Sequence, residues 1–107
     1  MSGDVLVQLA ATISARRAAA PDSSYTRQLL DAGPVRCAKK FGEEAIETVI
    51  AGAGESDEQL EAEAADLIYH LLVLLESRGV AIADVLAVLE KRQDVSGLKE
   101  KAERGKR

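Results

Sequence analysis

The sequence predicts an all-α protein, a helical bundle of about four to five helices. Apolar residues recur at the three- and four-residue spacings of amphipathic helices, and no segment shows the sustained alternation of a half-buried strand. The 107 residues include no Trp, two Tyr and one Phe, so the core depends on Leu, Val, Ile and Ala. A chain of this length suits one domain, and we expect residues 1–107 to form a single unit.

The first three helices are marked by caps and turns. Asp4 can cap a helix that stops near Pro21, and a short helix is predicted from Tyr25 to Asp31, closed by a Gly-Pro pair. A long helix follows from Val35 to about Ala51, where a Gly-Ala-Gly segment should break it. Gly42 inside this helix costs about 1 kcal/mol relative to Ala, which suggests close approach by another helix or a ligand.

Three further segments complete the predicted architecture. Ser56 and the polar residues after it form a capping box for a helix from Asp57 to Arg78, which Gly79 ends. Another amphipathic helix is predicted from Ile82 to Arg92. From Ser96 onward the pattern weakens to that of a frayed helix.

Composition and charge restrict the compartment and the partners. A single cysteine, Cys37, can form no intramolecular disulfide and no Cys-rich zinc site, so we expect a packing role and a cytoplasmic protein. The N-terminus lacks a signal-peptide pattern, and the apolar runs are too short to span a membrane. The net charge of −4 divides into −8 over residues 1–90 and +4 over residues 91–107, so an anionic ligand needs a metal or the basic tail.

Acidic residues stand in unexpected places on the two long helices. The segment from Ala64 to Leu75 is almost wholly apolar, which predicts burial nearly all round, yet it contains Asp66 and His70. Glu63 shares a stripe with both of them, at spacings of three and seven residues. A lone histidine on such a helix is more often a hydrogen-bonded core residue than a ligand, so His70 by itself decides nothing.

A second acidic face lies on the preceding helix, where Glu44 and Glu47 share a side with Lys40. Two antiparallel helices joined by a short loop can bring these two acids opposite Glu63 and Asp66. Four acids cannot stay ionised together without a cation, and a set of oxygen ligands suits Mg²⁺ above all, with Mn²⁺ possible. The alternative is that the acids are solvated surface charges, which is hard to sustain for Asp66 among apolar neighbours.

The same residues carry a family resemblance. Glu43-Glu44-Ala45-Ile46-Glu47 followed by Glu63-Ala64-Ala65-Asp66 is similar to the EExxE…ExxD pattern of the MazG-like all-α nucleoside triphosphate pyrophosphohydrolases. Within that superfamily, residues 39–44 and 65–72 resemble the phosphoribosyl-ATP pyrophosphohydrolases of histidine biosynthesis. The resemblance extends from Ser24 to Ala102 and so covers most of the chain.

The resemblance implies hydrolysis of phosphoribosyl-ATP to phosphoribosyl-AMP and pyrophosphate, by attack of a Mg²⁺-activated water between the α and β phosphates. The substrate is then a small nucleotide, and neither a nucleic acid nor a membrane is expected as a partner. Glu44, Glu47, Glu63 and Asp66 match the superfamily's metal ligands. Glu43 matches a further ligand or a water-orienting base, which makes Glu43, Glu44 and Glu47 the catalytic candidates.

Other implied roles concern substrate binding and assembly. Lys40 and His70 match positions that serve substrate phosphates or the hydrogen bonding of the site, and Arg78 or the basic tail could hold outer phosphates. The resemblance also implies an obligate homodimer whose helices complete the bundle. Gln93 stands where relatives often have His, a departure that weakens any substrate contact there. With one Cys and one His, we expect no fused cyclohydrolase activity.

Two other functions remain open from the residues alone. One is a house-cleaning pyrophosphohydrolase that acts on noncanonical nucleoside triphosphates. The other is a non-catalytic helical dimer that acts as an adaptor. A di-iron carboxylate bundle is disfavoured, because it needs Glu-x-x-His pairs and the sequence has none.

Overall fold

The computed structural model describes residues 2–93 and Arg104, and it confirms the prediction of an all-α protein. Five α-helices are present in that part of the chain, and a short 3-10 helix, Arg16–Ala18, follows the first of them. The helices are α1 (Ser2–Ala15), α2 (Tyr25–Ala32), α3 (Pro34–Gly54), α4 (Asp57–Ser77) and α5 (Ile82–Gln93). The frayed helix predicted from Ser96 lies outside the described residues, and completion of the bundle by a second copy stays a prediction.

The starts of the first three helices follow local capping chemistry with one exception. α1 begins at Ser2, so the predicted start at Asp4 is wrong; a cap contributes only about 1 kcal/mol and does not by itself fix a helix start. α2 begins as predicted, because the Ser24 hydroxyl accepts a hydrogen bond from a backbone N–H at 3.1 Å. Gly33 connects α2 to α3 with φ of +95°, a conformation that favours glycine, and Pro34 opens α3.

α3 runs three residues beyond its predicted end at Ala51 and includes the Gly-Ala-Gly segment. A glycine weakens a helix by only about 1 kcal/mol, so packing can keep the helix intact. At Gly52 the side chain of Leu60 on α4 lies 3.7 Å from where a Cβ would stand, so the two helices pack closely there. No described atom lies within 4 Å of the corresponding point at Gly42, so the close approach predicted for Gly42 is not made within one chain.

α4 pairs with α3 in the most extensive helix contact of the described chain. Its cap is confirmed, since the Ser56 hydroxyl accepts the N–H of Gln59 at 3.2 Å, and Gly79 follows its C-terminal end with φ of +69°. The predicted burial of α4 nearly all round is wrong for the single chain, because Asp66 and Ile68 are exposed. The other helices cover the remaining sides of α4 and leave the side that carries Ile68 open.

The core is assembled from α1, α2, α3 and α4. Its buried members are Ile13, Leu29, Leu30, Cys37, Leu72 and Val73. The Cys37 thiol donates to the carbonyl oxygen of Leu29 at 3.2 Å, which confirms its packing role. Arg17 joins the 3-10 helix to the end of α4, with its Nε 2.6 Å from Oε2 of Glu76. None of the helices among the described residues is both long and apolar enough to cross a membrane.

An apolar stripe on α3 faces away from the core. It consists of Val35, Ala38, Gly42, Ile46 and Val49, which we call the outer stripe of α3. These residues are spaced by three or four positions and therefore share one face of the helix. Three of them are large and well exposed, at 85% for Val35, 63% for Ile46 and 69% for Val49. A stripe of this kind is typical of a surface that another helix covers.

Candidate active site

Carboxylates from α3 and α4 converge at the centre of the helix pair. Glu44, Glu63 and Asp66 each contribute one oxygen to a group in which all atoms lie within 4.8 Å of one another, and we call this group the acidic cluster. Glu44 is buried, Glu63 is half-buried and Asp66 is exposed. Oε2 of Glu44 and Oε2 of Glu63 are buried without a hydrogen-bond donor among the described residues. Buried anionic oxygens without donors require a cation, so the cluster could hold a metal ion.

Thr48 fixes the register of the two helices beside the acidic cluster. Its hydroxyl lies 2.9 Å from the carbonyl oxygen of Glu44, one turn back on α3, and 3.2 Å from the carbonyl oxygen of Glu63 on α4. This shared donor holds the two backbones that carry the acidic side chains. The sequence analysis did not identify Thr48. The available indication was its position four residues after Glu44, which places its hydroxyl on the same helix face as a candidate metal ligand.

The two oxygens of Glu44 have different surroundings. Oε2 belongs to the donor-free pair described above, whereas Oε1 lies 3.6 Å from Nζ of Lys40 and 3.8 Å from Nε2 of His70. Lys40 also lies 3.5 Å from Oε1 of Glu43. The pKa of Lys40 is raised, chiefly by the nearby phenol of Tyr25; burial opposes this rise, and the carboxylates of Glu43 and Glu44 add to it. Lys40 is therefore a permanent cation at the edge of the cluster.

His70 is enclosed by aromatic rings. Its ring meets those of Tyr25 and Tyr69 edge to face, with centroid distances of 6.1 Å and 5.3 Å. Burial lowers the pKa of His70, and the neighbouring Glu44 carboxylate opposes that effect only in part. The imidazole is therefore neutral at neutral pH and can donate one hydrogen bond. Sequence reasoning gave Tyr25 no role in the site, because its contact with α4 depends on how α2 packs.

The lowered pKa of His70 predicts a pH dependence of stability in the metal-free protein. Because folding favours the neutral imidazole, the contribution of His70 to the free energy of unfolding is complete above its ordinary pKa of 6.5. This contribution is lost as the pH falls from 6.5 towards the lower pKa that His70 has in the folded protein. We expect the free energy of unfolding to decrease below pH 6.5, and His70→Gln to flatten that decrease. The single histidine gives one NMR titration curve, whose midpoint should lie below 6.5. A midpoint at or above 6.5 would contradict the burial effect.

The other predicted site residues lie around the cluster at different distances. Glu47 is exposed on the same side of α3, one turn beyond Glu44, and its carboxylate is not one of the three that converge. Glu43 is exposed and faces Lys40. Arg78 caps the C-terminal end of α4, twelve residues after Asp66, which places the two about 18 Å apart along the helix axis.

Comparison with known proteins gives a consistent result over nearly the whole chain. The family model described as phosphoribosyl-ATP pyrophosphohydrolase matches residues 6–93. A phosphoribosyl-ATP pyrophosphatase of Dinoroseobacter shibae is 55% identical over 100 residues, covering 94% of this chain and 98% of the relative. A protein of the same name from Cereibacter sphaeroides is 54% identical over 101 residues, with the same coverage. Phosphoribosyl-ATP pyrophosphatase 1 of Bradyrhizobium diazoefficiens is 58% identical over 96 residues, covering 90% and 91%.

Proposed function

This chain belongs to the phosphoribosyl-ATP pyrophosphohydrolase family, and on that premise we propose that Glu44, Glu47, Glu63 and Asp66 hold the divalent cation of its reaction. The reaction is the hydrolysis of phosphoribosyl-ATP to phosphoribosyl-AMP and pyrophosphate, the second step of histidine biosynthesis. The observation that carries the proposal is the pair of buried carboxylate oxygens, Oε2 of Glu44 and Oε2 of Glu63, which have no donor among the described residues.

The donor set favours Mg²⁺, with Mn²⁺ as a substitute. Hard divalent cations prefer carboxylate oxygens, and Mg²⁺ keeps several waters and binds through a few carboxylates together with substrate phosphates. Glu44, Glu63 and Asp66 supply the converging oxygens. Glu47 is included because it lies on the same side of α3 as Glu44, one helical turn further along. Its exposure leaves it free to reach a cation or a water bound by one.

The side chains around the acidic cluster have different roles in the proposed reaction. When bound, Mg²⁺ neutralises charge on phosphate oxygens and makes a coordinated water a better nucleophile. Lys40, held cationic beside Glu43 and Glu44, contacts a substrate phosphate oxygen. Glu43, exposed at the rim, accepts a proton from the attacking water. The water oxygen bonds to a phosphorus atom of the anhydride that joins the α and β phosphates, and the bond from that phosphorus to the bridging oxygen breaks. The products are phosphoribosyl-AMP and pyrophosphate.

His70 and Arg78 have separate roles in this proposal. The neutral imidazole lies near Oε1 of Glu44, on the side of the carboxylate opposite the donor-free oxygen, and so helps to orient that ligand. Arg78 stands too far along α4 to reach phosphates at the acidic cluster of its own chain. Its binding of outer phosphates therefore requires a second copy of the protein.

We propose that the enzyme is a homodimer that covers the outer stripe of α3. The stripe places three large exposed apolar side chains on one helix face. Exposed apolar residues that bind no partner usually occur singly and scattered over a protein surface. Gly42 lies in the middle of the stripe with open space above it, so the backbone of a partner helix can approach closely there. The spacing of the stripe matches the seam of paired helices.

A cytoplasmic location completes the proposal. The substrate is derived from ATP, and the single free cysteine, Cys37, is buried and suits a reducing compartment.

The test of the proposed function is a pyrophosphate-release assay on purified protein. We expect release from phosphoribosyl-ATP in the presence of Mg²⁺ or Mn²⁺, loss of release with a chelator, and little release from dUTP or dCTP. Release from dUTP or dCTP with none from phosphoribosyl-ATP would instead select the house-cleaning activity. Turnover of phosphoribosyl-ATP that a chelator leaves unchanged would contradict the metal site.

A further inference from the structure

A pocket of about 300 Å³, lined by both polar and apolar side chains, lies next to the acidic cluster, between the end of α1 and the start of α2. We call it the Arg16 pocket, after the cation in its lining. Tyr25 and Tyr69 also line it, and both rings contact the ring of His70, which in turn lies 3.8 Å from Glu44. One layer of aromatic side chains therefore separates this pocket from the metal-ligand candidates.

The Arg16 pocket offers a cation whose charge is not neutralised. No carboxylate is among its lining residues. The Arg16 guanidinium makes no ion pair or side-chain hydrogen bond with any residue between 5 and 93. The two other arginines nearby are occupied, Arg17 by Glu76 and Arg27 by Asp31. An unpaired guanidinium in a concave site favours an anionic ligand.

Hydroxyl groups in the lining add donors that have no acceptor. The Ser24 oxygen accepts a backbone N–H, but its own proton goes to no acceptor in the described part of the chain. The hydroxyls of Thr26 and Tyr69 bond to each other, which uses only one of their two protons. Ser24 and Thr26 are only 6% and 7% exposed, so these two residues are shielded from bulk water. Buried donors without acceptors indicate a ligand that accepts hydrogen bonds.

We propose that the Arg16 pocket binds the 5′-phosphate of the substrate's phosphoribosyl group, an inference that rests on the proposed function. Phosphoribosyl-ATP has two separate anionic parts, the triphosphate and a phosphomonoester on the second ribose. The triphosphate goes to the acidic cluster, where a cation offsets the repulsion between like charges. The phosphomonoester needs a cation and hydroxyl donors without acids, which is what this pocket supplies. Its volume of about 300 Å³ is sufficient for a sugar phosphate.

This pocket would then distinguish the substrate from ATP, which lacks the phosphoribosyl group. In steady-state assays, Arg16→Ala should raise KM for phosphoribosyl-ATP by about 10- to 100-fold and leave kcat within a few-fold. Arg16→Lys should recover part of the loss, because it keeps the charge but not the planar pair of donors.

Binding can be measured without metal or turnover. In NMR titrations of the metal-free protein, ribose 5-phosphate and inorganic phosphate should shift the amide signals of Ser24, Tyr25 and Thr26, and unphosphorylated ribose should not. Arg16→Ala should abolish those shifts. Equal shifts from ribose, shifts from adenosine instead of the phosphates, or an unchanged response in Arg16→Ala would overturn the proposal.

The two proposals fail in different ways. If the wild-type protein releases no pyrophosphate from phosphoribosyl-ATP, the proposed function fails whatever the pocket binds. If the wild-type protein is active and Arg16→Ala keeps its KM, only the assignment of the Arg16 pocket fails.

Discussion

Replacing Glu63 by Gln is expected to lower Mg²⁺-dependent pyrophosphate release by about 100-fold or more while raising the melting temperature of the metal-free protein. The loss is expected to be large because replacing even a group that only orients a metal ligand lowers metal affinity or activity by about 10- to 100-fold. The gain in stability arises because Oε2 of Glu63 is buried without a donor beside Glu44. A neutral amide removes one of the crowded charges and supplies a donor, worth about 1 kcal/mol, or roughly 4–8 °C.

Glu61→Gln is the matched control for this substitution. Glu61 lies two residues earlier on α4 and is exposed, so the same chemical change is made outside the acidic cluster. Its activity and its melting temperature should both stay close to those of the wild-type protein. Full activity in Glu63→Gln, or a lower melting temperature without metal, would show that Glu63 does not act as a metal ligand crowded by its neighbours.

Replacing Ile46 by Glu is expected to convert the proposed homodimer into a monomer. Ile46 is 63% exposed in the single chain and lies in the outer stripe of α3, so the proposed contact would bury the new carboxylate in both copies. Burying an unpaired charge costs several kcal/mol, and about 3 kcal/mol alone weakens association by roughly 100-fold. Light scattering after size-exclusion chromatography measures the change directly as a halved molar mass.

Val88→Glu provides the control for that experiment. Val88 is an exposed apolar residue on α5, outside the stripe, and its replacement adds the same charge without entering the proposed contact. This variant should keep the wild-type mass. A monomeric wild-type protein at micromolar concentrations, or a dimeric Ile46→Glu variant, would contradict the assignment of the stripe.

The sequence was sufficient to predict the helices and the meeting of two acidic faces. Helix positions follow from apolar spacing and from local signals such as the Ser56 cap, which act within a few residues of the chain. The convergence of Glu44, Glu63 and Asp66 follows once two amphipathic helices are joined by a short loop, because that connection permits only an antiparallel pair. Both inferences depend on local periodicity, which a single sequence contains.

The features that the sequence did not predict depend on contacts between helices. The apolar neighbours of Asp66 suggested burial, but the side of α4 that carries Asp66 is not covered within one chain, and Ile68 is exposed there as well. Gly52 lies within α3 because Leu60 packs over it, whereas the sequence alone marks the position as a helix end. The hydrogen bonds of Thr48 to two helices likewise require knowledge of their register. Such contacts are set by tertiary packing, which overrides local propensity.

Isothermal titration calorimetry with Mg²⁺ tests the central claim most directly, since it measures metal binding without substrate or turnover. We expect saturable binding to the metal-free wild-type protein, at least about 10-fold weaker binding to Glu44→Gln and Glu63→Gln, and wild-type affinity in Glu61→Gln. Equal affinity in all four proteins, or no binding to the wild-type protein, would contradict a metal site built from the carboxylates of α3 and α4.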